Sequence, residues 1–92
     1  MSRPLEEIKL RAGRLAVVSN ALREECVAIA SRESPTGAFK DAIVAARKHG
    51  IDGMEALGVA KATRWLAVIR RDHGDNIFTQ AVRTLAAPTP TH

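Results

Sequence analysis

Eight positions near the start of the chain repeat at spacings that only an α-helix brings to one side. Leu5, Ile8, Ala12, Leu15, Ser19, Leu22, Cys26 and Ile29 alternate steps of three and four residues, the seam of a heptad pattern. Seven of the eight are apolar or thiol side chains, and Ser19 is the polar member. Val17, Val18, Ala21 and Val27 widen the stripe. The pattern predicts one long helix over residues 5–30, started by Pro4 and the acidic pair Glu6–Glu7. It also predicts a homodimer joined through Leu5, Ile8, Leu15, Leu22, Cys26 and Ile29. A chain of 92 residues builds only a small core, and pairing with a second copy is a common remedy.

The rest of the chain reads as shorter helices. Only three residues are aromatic and none is Tyr, so the core is aliphatic and alanine-rich, which suits close helix packing better than sheet. SRESPTG at 31–37 collects turn formers, with Ser34 as N-cap and Pro35 at the first helical position. A second helix is expected over 35–49, burying Phe39, Ala42, Ile43 and Ala46. Gly50 fits the left-handed position after its end, and Ile51 the apolar contact that follows. Asp52 and Glu55 resemble a capping box for a short helix ending at Gly58, which is read as a turn. A fourth helix is expected from Ala60 to Asp72. Asp75 caps a fifth, 76–87, that buries Phe78, Ala81, Val82 and Leu85. The expected architecture is all-α: about five helices in one domain over 1–87, a long helix followed by a compact part at 35–87. PTPTH at 88–92 is a loose tail.

Charge is unevenly distributed. The net formal charge is +4 and the pI about 10.0. Residues 59–92 hold five Lys/Arg against two Asp/Glu, hence three of the four net charges. A local excess of this kind suits a polyanion, although a solvated basic face is about as common. Within it, Val59, Ala62, Trp65, Leu66 and Ile69 gather on one side of a helical wheel. Ala60, Arg64, Ala67 and Arg71 gather on the other, with Lys61 and Val68 on one flank and Thr63 on the opposite flank.

The segment GVAKATRWLAVIRR resembles the turn and recognition helix of small bacterial or phage helix-turn-helix DNA-binding regulators. The resemblance covers residues 52–71 and rests on Gly58, Val59, Lys61 and Ala62–Thr63. Arg64 stands where that family's pattern has an apolar residue, so the turn would be about one residue longer. The resemblance implies a bacterial transcription regulator that binds duplex DNA; the heptad seam would make it a dimer, and the lone cysteine with no apolar run of signal-peptide length leads to an expected cytoplasmic location. The basic face of the helix over 60–72 would lie in the major groove. Lys61, Arg64 and Arg71 would meet the groove, and Thr63 and Arg70 the backbone. The alternative is a non-enzymatic module, such as a phage or mobile-element inhibitor or adaptor, docking on a protein partner through the long first helix.

Other chemistry is not expected. His49, His73 and His92 lack ligand spacing with one another or with Cys26, so no metal is expected. No nucleophile motif or phosphate loop is present, so neither catalytic residues nor a cofactor are expected. The lone Cys26 on an apolar seam reads as a buried thiol. No segment has the length and apolarity of a membrane span, and a membrane partner is not expected.

Overall fold

The structure, a computed structural model, describes residues 13–86. Its helices are α1 (Gly13–Ala16), α2 (Asn20–Arg32), α3 (Pro35–Lys48), α4 (Gly53–His73) and α5 (Asp75–Ala86). No strand occurs among the described residues, and the all-α expectation of about five helices holds. Leu5 and Ile8, and the tail at 88–92, lie outside the described residues.

The expected long helix is broken at the polar member of its seam. Ser19 is the N-cap of α2, extended at φ −61° and ψ 156°, and its Oγ accepts from the Leu22 N–H at 3.2 Å. Arg23 reaches back to close the end of α1. Its Nη1 donates to the carbonyls of Leu15 and Ala16 at 3.4 and 3.5 Å. A serine inside a helix competes for nearby backbone groups, whereas at an N-cap it satisfies an orphan donor. The break turns α1 away from α2 and lays it on α4 and α5. Leu15, Leu22 and Cys26 are then 0% exposed and Ile29 3% exposed, within the core of a single chain. From Leu15 to Ile29 the expected dimerisation seam is therefore the domain's own packing face, because the break lets α1 and α2 fold back on the rest of the chain.

α3 forms as its local sequence dictates. Ser34 caps it, accepting from the Gly37 N–H at 3.3 Å, with Pro35 in the first turn. Gly50 takes φ 82°, and the Ile51 N–H donates back to Ala46 at 2.9 Å, so carbonyls at the helix end are satisfied. The glycine is needed there because positive φ strains any residue with a Cβ.

α4 is the largest departure from expectation. It runs unbroken from Gly53 to His73, so Gly58 makes no turn. Positive φ occurs at Gly50, Gly53 and Gly74, not at Gly58. A glycine inside a helix costs about 1 kcal/mol against alanine. That cost is outweighed because Ala56, Val59, Ala60 and Ala62 on either side are all buried, at about 25 cal/mol per Å² of apolar area. Nor does Asp52 form the expected capping box: it occupies the N-cap without a side-chain bond. Gly74, at φ 89°, ends α4, and its carbonyl accepts from the Phe78 N–H at 3.1 Å. Asp75 is thus the first residue of α5 rather than its cap.

The α3–α4 pairing is the most extensive in the fold. Ala38, Ala42, Ala45 and Ala46 on α3, and Ala56, Ala60 and Ala67 on α4, all lie in one buried cluster. Small side chains let two helix backbones approach closely. α2 and α5 close the other sides of α4, with Phe78, Ala81 and Leu85 buried from α5. α4 is therefore the central strut of the domain, surrounded over most of its circumference.

Candidate nucleic-acid interface

One strip of α4 remains open. Met54, Lys61, Arg64 and Arg71 are exposed, and Leu57 and Val68 half-buried between them. These six follow spacings of 3, 4, 3, 4 and 3, so they share one face of the helix. The strip combines basic heads with apolar stems, and no carboxylate falls at those spacings between Met54 and Arg71.

α3 borders the strip on one side. The Arg64 guanidinium carbon lies 5.3 Å from the centroid of the Phe39 ring, a cation–π contact worth about 0.5–1 kcal/mol at an exposed site. Phe39, Ile43 and Arg47 follow at steps of four along α3, and Lys40 adjoins Phe39. Lys40 and Arg47 are both exposed, so they extend the basic surface beyond Arg64. Asp41, also exposed, lies about 160° from Phe39 on the wheel but only about 100° from Lys40, and its carboxyl shares a hydrogen bond with that of Glu33.

α1 borders the strip on the other side. Arg14 is exposed, and its side chain passes over Gly58, where a Cβ would stand 3.1 Å from its Nε and 3.4 Å from its Cγ. The glycine is thus a crossing point for an arginine stem. Arg14 was outside the set expected from sequence, because nothing local ties residue 14 to residue 58.

The expected contact residues divide. Lys61 and Arg64 stand open to solvent, as the wheel places them. Arg71 is exposed but paired, its Nε donating to Asp72 Oδ1 at 2.9 Å. This contact holds the guanidinium above its ordinary range and the Asp72 carboxyl below its own. Thr63 and Arg70 are not available as backbone contacts. Thr63 is 0% exposed and its hydroxyl donates to the Val59 carbonyl at 2.8 Å. Arg70 is half-buried, with Nε donating to the Ala30 carbonyl at 2.9 Å and Nη2 to the Glu33 carbonyl at 3.1 Å. It satisfies carbonyls at the C-terminal end of α2, where a cation also meets the negative end of the helix dipole. Ala60 and Ala67, expected on the outer face beside Arg64, are buried too. The spacing of Ala56, Ala60, Thr63, Ala67 and Arg70 carries the signal for this: steps of 4, 3, 4 and 3 mark a second seam of mostly small residues.

Two polar groupings lie away from the strip. Glu25 on α2 binds Lys48 Nζ at 3.0 Å and His49 Nε2 at 3.1 Å, tying α2 to the end of α3. Cys26 is buried, and burial pushes its thiol up, with a lesser lowering from a hydrogen-bond contact with Thr63. Such a thiol is a poor nucleophile. No group of three or more His, Cys, Asp or Glu among the described residues could hold a metal ion. No helix of the described residues is long and apolar enough to cross a membrane. Comparison of the chain with protein-family models, curated proteins and solved structures finds no match.

Proposed function

We propose that this chain is a small DNA-binding protein, acting in transcription regulation, and that it binds through the open strip of α4. The observation that carries the reading is a set of exposed cations on two adjacent helices, Lys61 and Arg64 on α4 and Lys40 and Arg47 on α3, which meet where Arg64 lies over the Phe39 ring. Cations grouped on adjacent helices release condensed counterions when they meet phosphates, which supplies affinity at low salt. The turn that a helix-turn-helix requires is absent from this reading, because α4 is continuous through Gly58.

The test is fluorescence anisotropy of a labelled duplex at several salt concentrations, with Lys61→Gln/Arg64→Gln alongside. Both side chains are exposed, so the double variant should fold as the parent does by circular dichroism. The expected result is binding that weakens steeply with salt, and a variant at least tenfold weaker at low ionic strength. No binding by the parent, or equal binding by both, overturns the reading.

A second reading has its own observation. Met54 is 80% exposed, Val17 75% and Val44 58%. A protein partner that covered such side chains would gain about 25 cal/mol per Å² of apolar area removed from water. Such docking would use Met54 and Leu57 on the α4 strip rather than Leu15, Leu22, Cys26 and Ile29 of the heptad face, which are buried in the core. A flat DNA titration favours this reading.

A further inference from the structure

We infer that the surface takes duplex DNA by its phosphates alone, lying across the backbone with α4 outside the major groove. The inference rests on the DNA-binding reading and specifies how it is carried out. An α-helix with its side chains is about 10–12 Å across, and the major groove is about 12 Å wide. A helix that reads bases must therefore stand proud of its neighbours. α4 does not. Ala60 and Ala67, one turn before and after Arg64, are 0% exposed, so α3 closes one edge of the strip. At the other edge the Arg14 side chain from α1 lies against Gly58. The open strip is flanked on both edges, by Arg14 of α1 and Phe39 of α3, so α1 and α3 would meet the groove walls as α4 approached.

Arg64, one of the side chains expected from sequence to meet the groove, lies over the Phe39 ring at 5.3 Å. A guanidinium laid on a neighbouring helix offers its edge to a passing phosphate, but is not directed along the bidentate approach to a guanine edge. The remaining cations come from different helices: Arg14 from α1, Lys40 and Arg47 from α3, Lys61 from α4, all exposed. That lateral spread matches a backbone running over the surface. It does not match a row of contacts along one helix.

The experiment titrates the whole protein with duplexes of equal length and unrelated sequence, A·T-rich, G·C-rich and mixed, over a range of salt. If the inference holds, affinities at a given salt agree within about threefold. The logarithm of affinity should fall with that of salt at a slope of roughly −4.5, as about five neutralised phosphates require. Arg14→Gln and Lys40→Gln should each flatten the slope by about one unit on every duplex alike. A preference of about a hundredfold or more for one sequence, abolished by Arg64→Ala, would mean groove readout. That outcome overturns the inference and leaves the DNA-binding reading standing. A slope unchanged by Arg14→Gln and Lys40→Gln also overturns it, because the contacts would then lie elsewhere. Absence of salt-dependent binding to every duplex removes both.

Discussion

The side chain of Arg14 crosses α4 at Gly58, where a Cβ would stand 3.1 Å from the arginine Nε. The two residues are 44 positions apart in the sequence, and each explains the other. Gly58 leaves room for the arginine stem, and the stem covers a stretch of helix backbone that would otherwise face water.

The role of Gly58 can be measured by giving it a methyl group. In a tight turn with positive φ, Gly58→Ala would lower stability by more than about 1 kcal/mol. In a continuous helix alanine is the better residue by about 1 kcal/mol, and the nearest obstacle is a flexible, exposed arginine side chain that can move a few tenths of an ångström. We expect Gly58→Ala to raise the urea midpoint, with a gain of up to about 1 kcal/mol and an unchanged m-value. A loss of stability of that size would restore a turn at this position.

Arg70 and Arg64 sit six residues apart on one helix and should separate fold from binding. Arg70→Met removes the donors to the Ala30 and Glu33 carbonyls. Ala30 is 0% exposed, so its carbonyl is left poorly solvated. A hydrogen bond from a charged donor is worth about 1.5–3 kcal/mol, and the variant should lose stability in that range by chemical denaturation. Titrated below its unfolding transition, it should bind DNA as the parent does. Arg64→Ala should show the reverse pattern, with weaker binding and stability within about 1 kcal/mol of the parent.

Two acidic side chains should give opposite responses to pH. Glu25 is held below the ordinary carboxylate value of 4.5, first by its hydrogen bond with Lys48 and then by that with His49. A carboxyl whose pKa is lower in the folded state contributes stability above its unfolded pKa. That contribution is lost as pH falls through the folded value. Glu33 is raised above 4.5, chiefly by the hydrogen bond it shares with Asp41. Its contribution is present below the unfolded pKa and lost as pH rises through the folded value. Thermal midpoints measured from about pH 3 to 7 should therefore show Glu25→Gln less stable than the parent at neutral pH, with the gap closing in acid. Glu33→Gln should be at least as stable as the parent at neutral pH and lose that advantage in acid. Parallel profiles for all three proteins would mean that neither contact persists in solution.

Residues within a few positions of one another determined much of this protein before any folding was considered. Ser34–Pro35 starts α3 and Gly50–Ile51 ends it because capping and positive φ are satisfied by immediate neighbours. Alanine-rich sequence with few aromatics fixed an all-helical domain, and the wheel of α4 turned Lys61 and Arg64 outward. What tertiary structure decided was how the periodic stripes are spent. A heptad seam pairs equally well with a second copy or with its own domain. The choice fell to Ser19, whose hydroxyl caps α2 and allows the chain to fold Leu15 and Leu22 into one core. Gly58 alone is compatible with a turn or with a helix; burial of Ala56, Val59, Ala60 and Ala62 around it supplies the energy that keeps α4 continuous. Arg70 and Thr63 look like Arg71 and Lys61 to a count of polar side chains. They became structural because α2 packs on the side of α4 that carries them, where the only stable state of a polar group is a bonded one.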